Sequence, residues 1–309
     1  MAKKVNVGVR IPAIHPYDPG AVSEYVKEAE AQGFHSVWVG DHVFYRVDVP
    51  QPLTMLTWVA ALTSRVRLGT AIMLTAYLNP VLLAKTAATL DYLSGGRLTL
   101  GISLGGTDAE YNSLGVPIKQ RVSRLVENVE IVRKLWAEDD VTYEGRYNHI
   151  EGGRISPKPV QKPGVPLWFG AASEPSLRRT AQLADGWMAS AAGGTEGFLA
   201  GAAQVQSFVR EAGRDTASFG MGKLQSISVD RDPARARELA ETQWKAYYGP
   251  NFDVDRGAIH GDPAACAAKL AEIATAEANE LTLALETSTL DAGQLTLLKE
   301  ATADLPGAW

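Results

Sequence analysis

Asp41 and His42 stand side by side at the end of a short apolar run, residues 34–39, closed by Gly40. An imidazole titrates near neutral pH, and a neighbouring carboxylate can fix its tautomer, so the pair can hold or relay a proton on a ring nitrogen or a carbonyl. The same two residues also suit a turn-capping aspartate beside a surface histidine. A second group is Gly170-Ala171-Ala172-Ser173-Glu174-Pro175. Its small residues would leave backbone N–H groups and a hydroxyl at the positive end of a helix, where a phosphate binds well. Taken alone, these letters suit a plain helix cap by Ser173, with Pro175 early in the helix, better than a phosphate site. Arg178 and Arg179 favour the phosphate, and Glu174 opposes it by charge. The third group runs from Gly105 to Glu110. Glu110 is either an acid beside a site or a carboxylate at a helix start. Phe44, Tyr45 and Tyr77 could stack on a flat ring or serve as ordinary packing.

What must position these groups is visible in the surrounding pattern. Residues 66–74 form an apolar run rich in Val, Ile and Thr, which suits a strand buried on both faces. Asn79-Pro80 then caps a helix whose apolar residues recur at helical spacing to Ser94-Gly95-Gly96, and residues 97–103 read as a second strand. Strand, helix and strand in this order imply a parallel pairing. The same beat starts at Val5, Ser36, Val66, Leu98, Leu167, Trp187, Leu224 and Leu281, eight strands with helices between them. Eight such units close more readily as a (β/α)8 barrel, a TIM barrel, than as an open sheet. The rhythm breaks over residues 138–166, which are charged, aromatic and proline-rich, with a small hairpin expected over 141–147. This stretch reads as an insertion before strand five, and residues 249–261 as a loop. In a barrel, the strand ends carrying Asp41, His42, Gly105, Glu110 and Gly170 would meet on one face.

Composition narrows the choice further. The chain has 309 residues, 46% hydrophobic and 21% charged, with a formal net charge of −5. No Pro/Gly/Ser-rich linker divides it, so a single domain over 1–309 is expected. Basic residues are not concentrated, which argues against nucleic-acid or membrane-surface partners. The start of the chain passes from two lysines into a strand pattern without an apolar leader, and no run spans a bilayer, so the expected location is the cytoplasm. Cys266 lies in an alanine-rich helical pattern and reads as a packed side chain. The five histidines are scattered, and no metal site is expected. Walker and G-x-G-x-x-G patterns are absent. An aldolase on this fold would want a strand-end lysine, and Lys223 sits at the wrong end.

Several stretches together resemble the luciferase-like flavin and deazaflavin oxidoreductases. They are GFHSVWVGDHV, VRLGTAIMLTAYLNPVLLAKTAATLDYLSGGRLTLGISLG, EYNSLGVP, SPKPVQKPGVPLWFGAASEPSLRRTAQLADGW and HGDPAACAAKL, in order over most of the chain. The resemblance implies a TIM barrel with Asp41 and His42 beside an isoalloxazine-type ring. It implies a non-proline cis peptide at Ala71-Ile72, forming a bulge behind that ring. Gly105, Gly170, Ala171, Ala172 and Ser173 fall at cofactor-binding positions, the last four at the cofactor phosphate, and Glu174 departs from the small residue usual there. Glu110 matches an acidic position by the active site. The VGDHV form and the GGR-x-TLG context are similar to the branch using coenzyme F420, in which the ring's C5 carries a hydride and His42 manages the proton. The alternative branch uses FMN supplied reduced by a partner reductase, activates O₂, and needs a dry pocket. A flavin-binding protein without turnover would share the fold. A small-molecule substrate and a homodimer are further implications of the resemblance.

Overall fold

The computed structural model describes residues 2–309. The chain opens with β1 (Lys4–Arg10), α1 (Pro19–Ala31), β2 (Ser36–Val39) and α2 (Pro52–Leu62). Then come β3 (Arg67–Thr70), β4 (Met73–Leu74), α3 (Pro80–Leu93), β5 (Leu98–Ser103), α4 (Asp108–Ser113) and α5 (Arg121–Ala137). A hairpin of β6 (Val141–Glu144) and β7 (His149–Gly153) precedes β8 (Leu167–Gly170), α6 (Glu174–Leu183), β9 (Gly186–Ala189) and α7 (Gly194–Glu211). The last part holds β10 (Gly220–Val229), α8 (Pro233–Tyr248), α9 (Val254–Gly257), β11 (Ala258–Gly261), α10 (Pro263–Ile273), β12 (Glu280–Thr287) and α11 (Ala292–Ala301).

β1, β2, β3, β5, β8, β9, β10 and β12 pair in parallel, each with the next, and β12 returns to β1, so the sheet closes as a (β/α)8 TIM barrel. All eight expected strands are present. Alternation along each strand divides its residues between two cores. Val5, Val7 and Val9 belong to the large cluster shared with the helices, while Trp38, Ala71, Met188 and Ala284 form a smaller cluster inside the barrel. Trp168 joins Trp38 there, with ring centroids 5.9 Å apart. A side chain at Gly69 would come within 2.2 Å of the Trp38 ring, so this position must stay bare.

Two elements differ from the sequence reading. The apolar run 66–74 is not one strand. It breaks at Ala71 and Ile72, and only Met73 and Leu74 resume pairing, with Ile102 and Ser103 of β5. The stretch 249–261 is not all loop either. β10 has ten residues, and β9 pairs only with Gly220 to Lys223, so the outer half of β10 lacks a partner on that side. β11 supplies one for Ser226 to Val229, because backbone N–H and C=O groups inside a fold need pairing. Among the described residues no helix is long and apolar enough to cross a membrane.

The β6–β7 hairpin sits in the expected insertion and is tied to α5 by one carboxylate. Glu127, 7% exposed, accepts hydrogen bonds from the N–H groups of Arg146 (2.8 Å), Tyr147 (3.0 Å) and Asn148 (2.8 Å) and from the Asn148 side chain (2.9 Å). Burial works against its charge, but these donors outweigh it and hold the carboxyl below its ordinary range. Replacing Glu127 by Leu strands three N–H groups and is expected to cost about 2–3 kcal/mol. Because the folded-state value is lowered, the wild-type advantage is present above pH about 4.3 and disappears as the pH falls through the lowered value. Urea denaturation of both proteins across pH checks this, since a pH-independent gap between them would contradict it.

Candidate functional site

A cavity of about 360 Å³ opens at the C-terminal ends of the barrel strands. Asp41, His42, Ala71, Ile72, Gly105, Gly170, Ala171 and Ala172 line it, as the sequence reading expected, although they come from four different strand ends. Ser173 lies one residue farther out and is exposed. Glu110 is fully buried behind His42 and does not line the cavity.

β2 ends at Val39, and after Gly40 the chain carries Asp41 and His42 over the barrel mouth. Asp41 accepts the Leu74 N–H through Oδ2 at 2.9 Å, which ties the β2 end to β4. Its carboxyl is pushed up to about 6, by burial first and by the Glu110 charge as well, against the help of that N–H. It therefore changes charge close to neutral pH.

His42 is fixed on two sides. Its Nδ1 lies 3.3 Å from Glu110 Oε1, and its ring stacks on Tyr45 with centroids 3.9 Å apart and planes 13° from parallel. An ionised carboxylate can only accept, so the proton sits on Nδ1 and the other nitrogen, Nε2, is left to take or give a proton. Burial lowers the His42 value, Glu110 partly restores it, and Arg10 adds to the lowering.

Glu110 itself comes from a capping box. In α4, Thr107 Oγ1 accepts from the Glu110 N–H, and Glu110 Oε2 accepts from the Thr107 N–H at 2.7 Å. The second oxygen, Oε1, accepts from Val43 N–H at 2.7 Å and from Phe44 N–H at 3.4 Å. Burial disfavours its charge, yet the Thr107, Val43 and Phe44 donors bring its value below the ordinary one. The two sequence readings of Glu110, helix-start carboxylate and acid beside the site, thus both describe it.

The floor of the cavity is the Ala71–Ile72 step, whose peptide bond is cis. Arg10 Nε donates to the Ala71 carbonyl at 3.2 Å, and Arg10 Nη1 pairs with Glu286 of β12. Arg10 and Glu286 are both buried. Gly40 makes room for them, since a Cβ there would fall 1.9 Å from Arg10 Nη2. Arg10 was not singled out in the sequence, though a cation ending the apolar strand VNVGVR was a signal.

At the far end, α6 begins at Glu174. Ser173 makes no side-chain cap, and its hydroxyl meets that of Ser176 at 3.0 Å. Two sequence expectations are corrected here. Glu174 does not face the cavity, because its carboxylate turns along the helix to Arg178 at 3.0 Å. Arg178 does not line the cavity, as it also pairs with Glu211 at 3.0 Å and lies over the Phe208 ring.

The opposite wall was not legible in the sequence. Tyr247 and Tyr248, at the end of α8, line the cavity together with Met188, Ser190 and Leu224. Tyr45 reaches them, with 4.7 Å between the Tyr45 and Tyr247 centroids. Phe44 points away and is 54% exposed, and Tyr77 packs edge-on against Tyr111 at 5.3 Å. Lys223 is fully buried, and its Nζ donates to the Ser190 carbonyl at 2.6 Å. Its amine therefore does reach the C-terminal end of β9, contrary to the sequence reading, yet it sits beside Phe198 of α7 while its neighbour Leu224 lines the cavity. Burial lowers it to about 8. Among the described residues no group of three or more His, Cys, Asp or Glu could hold a metal ion.

Residues 8–280 match the family model of the luciferase-like monooxygenases. The chain is 32% identical over 234 residues to the F420-dependent glucose-6-phosphate dehydrogenase of Kineococcus radiotolerans, spanning 72% of this chain and 68% of that protein. It is 30% identical over 216 residues to the 5,10-methylenetetrahydromethanopterin reductase of Archaeoglobus fulgidus, 70% of this chain and 62% of that one. In fold it is similar to an F420-dependent secondary alcohol dehydrogenase solved with an F420–acetone adduct, with a TM-score of 0.83, 23% identity, and 97% and 98% of the two chains covered.

The raised Asp41 carboxyl makes a stability prediction. A group whose folded-state value lies above its unfolded one, about 3.9, loses stability as the pH rises through the interval up to about 6. Asp41→Asn keeps an acceptor for Leu74 N–H and removes the charge. It is expected to stabilise the cofactor-free protein by about 1 kcal/mol at pH 7, a value discounted for partial exposure, and by less at pH 4. Thermal melts at the two pH values would contradict this if the variant were the less stable at pH 7.

Proposed function

Since the chain belongs to the luciferase-like monooxygenase family, we propose that it is an oxidoreductase using the deazaflavin coenzyme F420 for hydride transfer to or from a small organic substrate. The observation that carries this reading is one cavity bounded by the Ala71–Ile72 step below and by Asp41 and His42 at the side, with His42 held by Glu110. The F420 dependence of the Kineococcus dehydrogenase and of the secondary alcohol dehydrogenase supports it.

The residues fit such a group. Ile72 and the Ala71 backbone offer a flat support. Gly170 stays bare because a Cβ there would fall 2.4 Å from Ile72 Cδ1, so the β8 end closes tightly over that support. Ala171, Ala172 and Ser173 bring backbone N–H groups and a hydroxyl to the start of the ten-residue α6, which suits the cofactor phosphate, and Gly105 borders the same space. The second oxygen of Asp41 is available to a ring N–H. When bound, the deazaflavin supplies a carbon, C5, that accepts or gives up a hydride.

The chain's own work is orientation and proton handling. His42 Nε2 takes the hydroxyl proton when an alcohol is oxidised and returns it in the opposite direction, while Glu110 stabilises the resulting imidazolium at Nδ1. Glu110 is thus a positioning residue, acting through His42. The aromatic side of the cavity excludes water from the reacting atoms. We further propose a single-domain protein that works in the cytoplasm as a homodimer, for which Leu82, Tyr92 and Leu93 of α3, each more than half exposed, offer apolar surface.

Fluorescence titration of the purified protein with F420 and with FMN, each oxidised and reduced, tests the reading. F420 is expected to bind at least tenfold tighter. His42→Ala should lower turnover by about 10²–10⁴ while leaving the F420 Kd within threefold. In the oxidising direction, the wild-type rate should fall as acid protonates His42, at a pH below that of a free imidazole, because burial lowers the group. Preference for FMN, with O₂ consumed in the presence of a flavin reductase, would replace this reading by the FMN-dependent monooxygenase.

A further inference from the structure

The substrate side of the cavity is bounded by a run of rings. His42 stacks on Tyr45, Tyr45 meets Tyr247 at 4.7 Å, Tyr247 meets Tyr248 edge-on at 4.7 Å, and Tyr248 stacks on Phe252 at 4.5 Å with planes 18° apart. Tyr247 and Tyr248 face the cavity directly. Burial raises the hydroxyls of Tyr45, Tyr247 and Tyr248, so all three stay neutral through the physiological range.

Charge on this side is equally distinctive. Among the described residues lining the cavity, Arg10 is the single Lys or Arg, and it is occupied by Glu286 and by the Ala71 carbonyl. Arg46, nearby in sequence to His42, is not among the lining residues and donates to the Tyr248 carbonyl at 2.8 Å. Asp41 and Glu110 add negative charge, so a phosphate or carboxylate placed by His42 would meet anions and no free cation.

We infer that the substrate is a small, uncharged, flat conjugated carbonyl compound or the alcohol it is reduced to, and not a sugar phosphate such as the Kineococcus relative's name specifies. This rests on the hydride-transfer reading above. On reduction the carbonyl carbon gains a hydride, the C=O π pair moves to oxygen, and His42 Nε2 supplies the proton that completes the hydroxyl, with the reduced deazaflavin as two-electron donor. The flat π system lies along the tyrosine wall, where ring faces and edges attract it.

Isothermal titration of the protein in the presence of excess oxidised F420, which fills the cofactor's own phosphate site, tests this with four probes, the F420 absorbance being followed so that any hydride given up by glucose 6-phosphate counts as its binding: cinnamaldehyde, its puckered analogue 3-cyclohexylpropanal, phenyl phosphate and glucose 6-phosphate. Cinnamaldehyde is expected to bind at least tenfold tighter than the puckered aldehyde, and neither phosphate to bind at millimolar concentration. Tyr247→Leu should reduce the flat-over-puckered ratio below threefold and Tyr247→Phe preserve it. Tyr45→Leu, at a half-buried position, gives the same readout if the Tyr247→Leu protein does not fold. Equal binding of the two aldehydes, or tighter binding of either phosphate, overturns the inference. F420 affinity, measured on the same samples, reports separately on the hydride-transfer reading, and a flat-ligand preference without F420 binding would sink that reading while upholding the wall.

Discussion

The buried ion pair of Arg10 and Glu286 is the constraint on which the site depends. It joins the first barrel strand to the last, at the seam where β12 returns to β1 in register from Lys4–Glu280 to Arg10–Glu286. Burial works against the Arg10 charge, and Glu286 together with Tyr247 and Tyr248 outweighs it. The same guanidinium holds the Ala71 carbonyl, so the closure of the barrel and the floor of the cavity share one side chain. Removing one partner of such a pair leaves an uncompensated buried charge, at a cost of about 3–5 kcal/mol. A Cβ at Gly40 would fall 1.9 Å from Arg10 Nη2, so the pair keeps its place only beside a bare residue.

From that floor upward, each polar group has one job. Glu110 uses both oxygens within the protein, on Thr107, Val43, Phe44 and His42, so it can orient the imidazole but cannot itself reach a ligand. His42 consequently presents a single free nitrogen. Asp41 uses one oxygen on Leu74 and keeps the other for the cavity, at a destabilising raised value that a bound N–H donor would relieve. Stability is given up where a ligand can restore it.

The fold and half of the site were legible in the sequence because both are written locally. Strand and helix periodicities occupy contiguous residues, and Asp41, His42, Ala71, Ile72 and Gly170 each sit where a strand stops. Partners brought together by barrel closure were not legible. Arg10 and Glu286 are separated by nearly the whole chain, and only the β1–β12 pairing makes them neighbours. Tyr247 and Tyr248 looked like ordinary members of a helix because nothing local marks the end of α8 as a cavity wall. β11 was read as loop, since its need arises from the length of β10 and the shortness of β9. Arg178 was misjudged for a similar reason, as its partner Glu211 lies on the next helix. The insertion was recognised by its prolines, but its anchor, Glu127, looked like any charged residue on an amphipathic helix.

The most direct measurement is a crystal structure of the protein with oxidised F420 bound. The account predicts the ring resting on Ala71 and Ile72, with Asp41 at a ring N–H, C5 facing His42 across the substrate space, and the phosphate among Ala171, Ala172 and Ser173. A ring found elsewhere, for instance in the larger groove of about 720 Å³ lined by His260 and Lys269 on the outer side of the barrel, or one whose C5 faces away from His42, would contradict it.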